Sequence, residues 1–381
     1  MTIRLRGITW NHSRGYLPMV ATAQRFSETR PDLDIVWEKR ALKSFGDDPV
    51  EPLADGFDLL VIDHPSIGEA VKCGALVPLD EYLPKEFLDD QARHSVGKSH
   101  ESYQFERHQW ALAIDAAAPV SARRPVLLEQ SGLTVPKTWS ELMALARRGW
   151  VAVPGVPVDC LLNFYMMCSS LGEDPFSKEG IIVSPAVGAQ ALSLLRELMN
   201  LCPEVCYSWD PIATFEAMAS HDNIGYCPFA FGYVNYSRYG YASYRLQFGD
   251  LVTLDDQGPL RSTLGGTGLA ISSRCQYLQK ALDYARFVAS PLCQRGLYFE
   301  SGGQPGHRKA WLDKTLNFAS LDFFQTTLAA LDRAYVRPKY NGYLQFQADA
   351  GAIVQEYLRA GGDTTSVLNR LQHLYDRSRT F

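Results

Sequence analysis

Residues 57–63 read Phe-Asp-Leu-Leu-Val-Ile-Asp, a continuous apolar run that ends in an acid. A strand with one wet face alternates apolar and polar residues. A short unbroken run is instead the pattern of a strand buried on both faces, as in a parallel sheet covered by helices. Toward the N-terminus, Asp34–Lys39 (DIVWEK) reads as a second strand and the alternating Ile3–Thr9 as a third. Between them, Gly15–Thr29 places Met19, Ala23 and Phe26 at i, i+4 and i+7 on one helical face, and Pro31 stops the helix. Residues 1–80 thus predict β-α-β-α-β, the alternation that puts helices on both faces of a parallel sheet.

Downstream, Trp110–Asp115 (WALAID) is a short strand, after which the pattern moves to a second lobe. Thr138-Trp139-Ser140-Glu141 is a capping box, and the helix it opens carries Trp139, Leu142, Met143 and Ala146 on one face. Ser184-Pro185 supplies a cap and a first-turn proline to a helix bearing Val187, Ala191, Leu194 and Leu198. Asn223–Phe229 is strand-like, and residues 262–272 run from a Gly-rich turn into a strand. Leu278, Leu282, Ala285 and Val288 share a helix ended by Pro291. Helices follow at 320–334, at 346–360 (ended by Gly361-Gly362) and at 365–377 (opened by Thr365). There is no internal repeat, low-complexity tract or block of like charge.

A chain of 381 residues is long enough for two domains with separate cores. Its net charge of −5, with no basic run, excludes nucleic acid and an anionic membrane surface as partners. No apolar run approaches the roughly 18 residues that span a bilayer. The first residues show no basic n-region, apolar h-region or cleavage site, so a cytoplasmic chain and a trimmed exported form are both open. Eight cysteines form no spaced framework; Cys202 and Cys206 make a C-x-x-x-C that reads as a small disulfide or as two thiols. Neither C-x-x-C nor H-x-x-x-H occurs, so no metal site is expected, and no cofactor.

Several constellations have the residue types of a binding site. Trp10-Asn11-His12-Ser13-Arg14-Gly15 lies between the first strand and the first helix, where open α/β sheets bind ligands. It offers an indole, an amide, an imidazole and a guanidinium beside a helix N-terminus, although Trp10 also suits packing at the sheet edge. Asp63-His64 ends the FDLLVID strand at the same edge. It reads as a ligand contact, as structure, or as a dyad in which the Asp orients the His as a base. Tyr226, Phe229, Phe231 and Tyr233 give aromatic faces that stack on sugars or flat rings, or pack a core. Gly265-Gly266 lies in a glycine-rich loop that lacks the Lys-Ser/Thr of a phosphate loop and enters a strand; it fits close backbone approach to a ligand, or a crossing between lobes. Ser301–Pro305, with Gln304, and Arg337 sit in loops near the lobe junction, where Arg337 reads as a structural clamp or a carboxylate partner.

Taken in order, these segments resemble the extracellular solute-binding proteins of family 1, the carbohydrate-uptake group of ABC transporter binding proteins. The resemblance is carried by RFSETRPDLDIVWE (25–38), FDLLVIDHPSIGEAVKCGALVPLDEYL (57–83), GLTVPKTWSEL (132–142), FEAMASHDNIGYCPF (215–229), LGGTGLAIS (264–272) and SGGQPGHR (301–308). It implies an α/β, two-lobed type II periplasmic-binding-protein fold, each lobe a mostly parallel sheet flanked by helices. The first lobe is then 1–112 plus 264–309 and the second 116–260 plus 311–381, with hinges near 113–115 and 261–263. It further implies a monomer without catalytic activity that binds a small-molecule solute in the interlobe cleft and delivers it to a membrane permease from the periplasm. Carried onto this chain, the ligand contacts are Trp10, Asn11, His12, Asp63, the 226–233 aromatics, Gly265, Gly266 and Gln304. Carbohydrate is the first expectation. His12 and Arg14 together make the opening loop cationic, which keeps an organic carboxylate as the second. Two other functions stay open: a cytosolic ligand sensor on the same fold, and a hydrolase or lyase using Asp63 and His64.

Overall fold

The apolar runs of the first third of the chain lie side by side as strands in the computed structural model, which describes residues 2–254 and 257–379. The strands are β1 (Ile3–Trp10), β2 (Leu33–Arg40), β3 (Leu59–Ile62), β4 (Gln104–Phe105), β5 (His108–Gln109), β6 (Leu112–Ala117), β7 (Pro119–Arg123), β8 (Tyr226–Phe231), β9 (Gln247–Gly249) and β10 (Gly265–Ile271). The chain divides into two units. One comprises the residues up to Ala117 with Leu264–Phe318 and Pro338–Tyr343; the other comprises Ala118–Thr263, Ala319–Arg337 and the residues from Leu344 onward. Residues 311–318 and 338–343, expected in the second lobe, therefore lie in the first unit. The expected hinge at 113–115 falls inside β6, which the first unit's sheet holds by its pairing with β10.

In the first unit the strand order is β2-β1-β3-β10-β6. β1 pairs in parallel with β2 and β3, while β10 is antiparallel to both β3 and β6. Four strands thus run one way and β10 the other. The FDLLVID strand behaves as its composition dictates, because successive side chains on a strand point to opposite faces. Leu59 and Val61 enter one core with Leu5, Met19, Phe26, Leu269 and Tyr284; Leu60 and Ile62 enter the other with Ile8, Ile67, Ala70 and Tyr103. All four β3 side chains are buried, each contributing about 1.5–3 kcal/mol of transfer free energy. The first core is roofed by helices Ser13–Glu28 and Leu278–Ala289, whose Met19, Ala23 and Phe26 and whose Leu282, Ala285 and Val288 are the buried stripes.

The second unit corrects one expectation. Its three strands, in the order β8-β7-β9, pair antiparallel, and parallel pairing is confined to single bridges such as Val151–Tyr226 beside β8, so the sheet is not mostly parallel. Helices dominate this unit. In Pro157–Ser170 every residue from Asp159 onward is buried, so that helix is a core element. The capping box forms as predicted: Thr138 Oγ1 accepts the Glu141 N–H (3.2 Å) and Glu141 Oε2 accepts those of Thr138 (3.3 Å) and Lys137 (2.7 Å). Ser184 takes the N-cap position of helix Pro185–Met199, but its hydroxyl donates to Glu173 Oε2 (2.5 Å) instead of capping. The last helix, Thr364–Ser378, is capped by Asp363, not opened by Thr365. All eight cysteines are free thiols, Cys202 and Cys206 among them.

Candidate functional site

Strand direction gathers the predicted residues of the first unit. β1, β3 and β6 end at one edge of the sheet, and antiparallel β10 begins there. Extending the β1–β3 register sets Trp10 beside Ile62, and Gly265 pairs with Ala117. Asn11–Arg14, Asp63–His64 and Gly265–Gly266 therefore leave the sheet together, at the edge where carboxyl ends of strands present ligands. Gln304 joins them, since its Nε2 donates to the Ala116 carbonyl (2.7 Å).

His12 is the N-cap of helix Ser13–Glu28, its Nδ1 accepting the Arg14 N–H at 3.0 Å. Burial, and then the neighbouring Arg14 charge, lower its pKa to about 4. The ring is neutral at pH 7. Arg14 is buried too, and its guanidinium forks onto Asp115 through Nε–Oδ2 (2.7 Å) and Nη2–Oδ1. The bidentate match of two planar groups is the strong form of this pair. Burial pushes the Asp115 carboxyl up from its ordinary range, Arg14 pulls it down, and the charge of Asp63 adds to the rise. The loop expected to be cationic is thus electrically quiet: His12 is uncharged and Arg14 is matched internally. Arg14 as a partner for a solute carboxylate is corrected to a buried clamp between the first helix and β6.

Trp10 is also internal. It sits in the first core, 5.1 Å from Phe45 ring to ring, and its indole covers Gly15 so closely that a Cβ there would lie 2.3 Å from it. Its Nε1 has no hydrogen-bond partner. Asn11 is exposed beside it, with its backbone N–H given to the Arg40 carbonyl (2.7 Å). Asp63, half-buried, caps the turn His64–Ser66 by accepting the His64 N–H (2.8 Å). The His64 ring is fully buried and stands edge-on to Tyr103. His64 Nδ1 stands 3.2 Å from Asp63 Oδ1, and with no solvent-facing edge the imidazole serves the turn that Asp63 caps.

Gly266 explains its own identity. Its φ is +103°, and a Cβ would meet the Asp115 carbonyl oxygen at 2.4 Å. The close approach is to the neighbouring strand β6, at the point where the β10–β6 register shifts. Gln304 is likewise buried and engaged with β6. In the second unit, Tyr226 and Phe229 are wholly buried in β8, Tyr233 nearly so, and Phe231 is partly exposed at the strand end. Burial raises the Tyr226 hydroxyl far above its ordinary range. Arg337 is a buried clamp, its Nη1 donating to Gln347 Oε1 (3.1 Å).

Two residues at the sheet edge were not singled out as site residues from sequence. Asp115 was read only as part of a hinge, and its burial at the end of an apolar run, WALAID, was the available signal. Arg40, at the end of β2, lies over Phe45 at 5.3 Å, and burial lowers its pKa to about 10. An Arg closing the alternating run DIVWEKR carries no signal of its own.

Residues 10–161 match the family of bacterial extracellular solute-binding proteins, which bears out the resemblance drawn from the sequence. The maltose-bound MalE3 of T. maritima superimposes with a TM-score of 0.83 at 16% identity, over 98% of this chain and 99% of that one. An ABC transporter solute-binding protein of Agrobacterium radiobacter K84, in complex with ribitol, gives 0.83 at 18% identity over 100% and 99%. UgpB of Mycobacterium tuberculosis, in complex with glycerophosphocholine, gives 0.77 at 16% over 99% of each chain. These likenesses place the chain in the type II periplasmic-binding-protein fold. No helix among the described residues is long and apolar enough to cross a membrane.

Proposed function

We propose that this chain is an extracellular solute-binding protein of family 1 and the capture component of an ABC-type importer for a neutral, hydroxyl-rich solute, a carbohydrate or polyol. It works outside the cytoplasm, hands the solute unchanged to a membrane permease, and binds one solute per monomer. The observation that carries the reading is the character of the loop at which the family match begins. From Trp10 onward the accessible groups are hydrogen-bonding and net uncharged, because His12 is neutral and Arg14 is matched by Asp115. Neutral donors and acceptors suit hydroxyls; a carboxylate would need an unmatched cation. The maltose and ribitol of two structural neighbours support the same class.

In this reading Asn11, His12 and Asp63 of the first unit supply the hydrogen bonds to the solute. Isothermal titration with maltose-type oligosaccharides, pentitols, glycerophosphodiesters and small carboxylates tests it. One sugar or polyol should bind with 1:1 stoichiometry and be recovered intact after long incubation. Asn11→Ala and Asp63→Asn should each weaken it about tenfold, the roughly 1.4 kcal/mol of one good contact. Binding of carboxylates alone would reject the assigned solute class, and turnover of the ligand would reject the transport role.

A further inference from the structure

None of the groups assigned to the solute belongs to a second polar cluster in the first unit, made by Asp90, His94 and His307. Asp90 lies in helix Lys85–Arg93 and His94 caps that helix one turn on. His94 Nδ1 stands 2.9 Å from Asp90 Oδ1 and 3.0 Å from the Asp90 carbonyl oxygen. His307 arrives from far along the chain, as the N-cap of the short helix Arg308–Trp311, with Nε2 3.3 Å from Asp90 Oδ2. Backbone pairing holds the two histidines together. Ser95 and His307 form an antiparallel bridge, the Arg308 N–H donates to the His94 carbonyl (2.7 Å), and Arg308 Nε donates to the Ser95 carbonyl (2.7 Å). The imidazoles stack at 5.1 Å with 18° between planes. One ligand atom from each of the three residues falls within 4.8 Å of the others.

We propose that Asp90, His94 and His307 bind a divalent transition-metal ion of the zinc type. Two imidazoles and a carboxylate are the donors such ions select, whereas calcium and magnesium take oxygen. His307 is 1% exposed, while the side chains of Asp90 and His94 are 32% and 23% exposed. The buried ring is therefore the anchor, the other two are free to move, and the open side leaves coordination positions to water. Bonds of about 2.0–2.1 Å to a tetrahedral ion set ligand atoms roughly 3.3 Å apart, close to the present 2.9 Å and 3.3 Å from Asp90 to the two imidazoles and within reach of the 4.8 Å that bounds the set. Three present contacts yield. Ligation through His94 Nδ1 moves that ring's proton to Nε2 and gives up the 3.0 Å bond to the Asp90 carbonyl. Ligation through His307 Nε2 moves that ring's proton to Nδ1, which gives up the 3.3 Å cap bond from the Lys309 N–H. The Lys309 ammonium, 3.6 Å from Asp90 Oδ1 and 43% exposed, swings out to solvent.

The test is titration of chelator-treated full-length protein with Zn²⁺ and with Co²⁺, by calorimetry and by the visible d–d bands of Co²⁺, with Ca²⁺ and Mg²⁺ alongside. One Zn²⁺ or Co²⁺ per chain is expected, with Ca²⁺ and Mg²⁺ silent. Asp90→Asn and His94→Ala, both at partly exposed positions, should each weaken binding tenfold or more. Lys309→Met should tighten it several-fold, because the competing ammonium is gone; a site elsewhere would not respond to that change. Absence of Zn²⁺ and Co²⁺ binding overturns the proposal. So does binding that survives Asp90→Asn and His94→Ala, as it would on the half-buried thiols of Cys73, Cys202 or Cys275. Solute binding measured on the same samples is independent of either result.

Discussion

Arg14 and Asp115 hold opposite charges on side chains that are 4% and 0% exposed. Their mutual attraction offsets a desolvation cost of several kcal/mol per ion, and removing one partner leaves the other charge buried alone. Arg14→Met and Asp115→Asn should each lower stability by about 3–5 kcal/mol. The double variant Arg14→Met/Asp115→Leu should cost less than the sum of the two, read from urea unfolding followed by circular dichroism. Additive losses would mean that the pair is not coupled. His12 acts through pH. Its folded pKa of about 4 lies below the unfolded 6.5, so the unfolded chain takes up a proton that the folded chain refuses. The stability this supplies is present above pH 6.5 and is lost as pH falls toward 4. His100, lowered by burial to about 4, acts in the same direction. His12→Asn keeps an oxygen to cap the helix and removes the titration, so its melting temperature should fall less than the wild type's between pH 7 and pH 4. Parallel curves would take His12 out of the account. Neither effect was legible locally, because Asp115 is 101 positions from Arg14 and a lone His carries no mark of its burial.

Strand β10 shows how an element is positioned by a single backbone requirement. The glycine-rich stretch was correctly set apart from phosphate loops, since it enters a strand. Yet its glycines serve the approach of β10 to β6: at Gly266 the chain takes a left-handed φ with the Asp115 carbonyl 2.4 Å from where a Cβ would stand. Gly266→Ala should destabilise the protein by about 1–3 kcal/mol through overpacking and backbone strain. It should also loosen the Arg14–Asp115 clamp, which hangs on the same stretch of β6. Thermal unfolding together with amide exchange at residues 112–117 measures both. An unchanged melting temperature would show that β10 can shift to accept the methyl group. At this scale much was legible. Helix Ser13–Glu28, the capping box at Thr138 and strands β1 to β3 follow from helical spacing, a four-residue motif, alternation and an unbroken apolar run, each read within a few residues. The antiparallel sheet of the second unit was not, because a buried run of apolar residues reads the same in either direction.

For the whole chain, a binding protein that closes on its solute should become more compact and more stable together. Hinge closure is favoured only by contacts that the open form lacks. With a bound sugar or polyol, small-angle scattering should give a smaller radius of gyration. The melting temperature should rise as expected for roughly 2.7 kcal/mol at a solute concentration of about 100 Kd. A stabilised protein of unchanged radius would keep the solute and remove the closure. Arg14→Met should still bind the solute in its folded fraction, since its charge is used internally.

What the sequence determined by itself was the class of fold, the order of its elements and the sheet edge at which polar loops collect. These depend on local periodicity, caps and the rule that parallel strands present their carboxyl ends together. The tertiary structure alone decided the chemistry at that edge. A side chain's charge, exposure and partner are set by residues far along the chain: Asp115 neutralises Arg14, Tyr103 covers His64, and β6 occupies the space beside Gly266. The same holds for Asp90, His94 and His307. Asp90 and His94 are one helical turn apart, but His307 lies 217 positions from Asp90, and the three meet because backbone pairing at Ser95 and His307 brings two distant loops side by side.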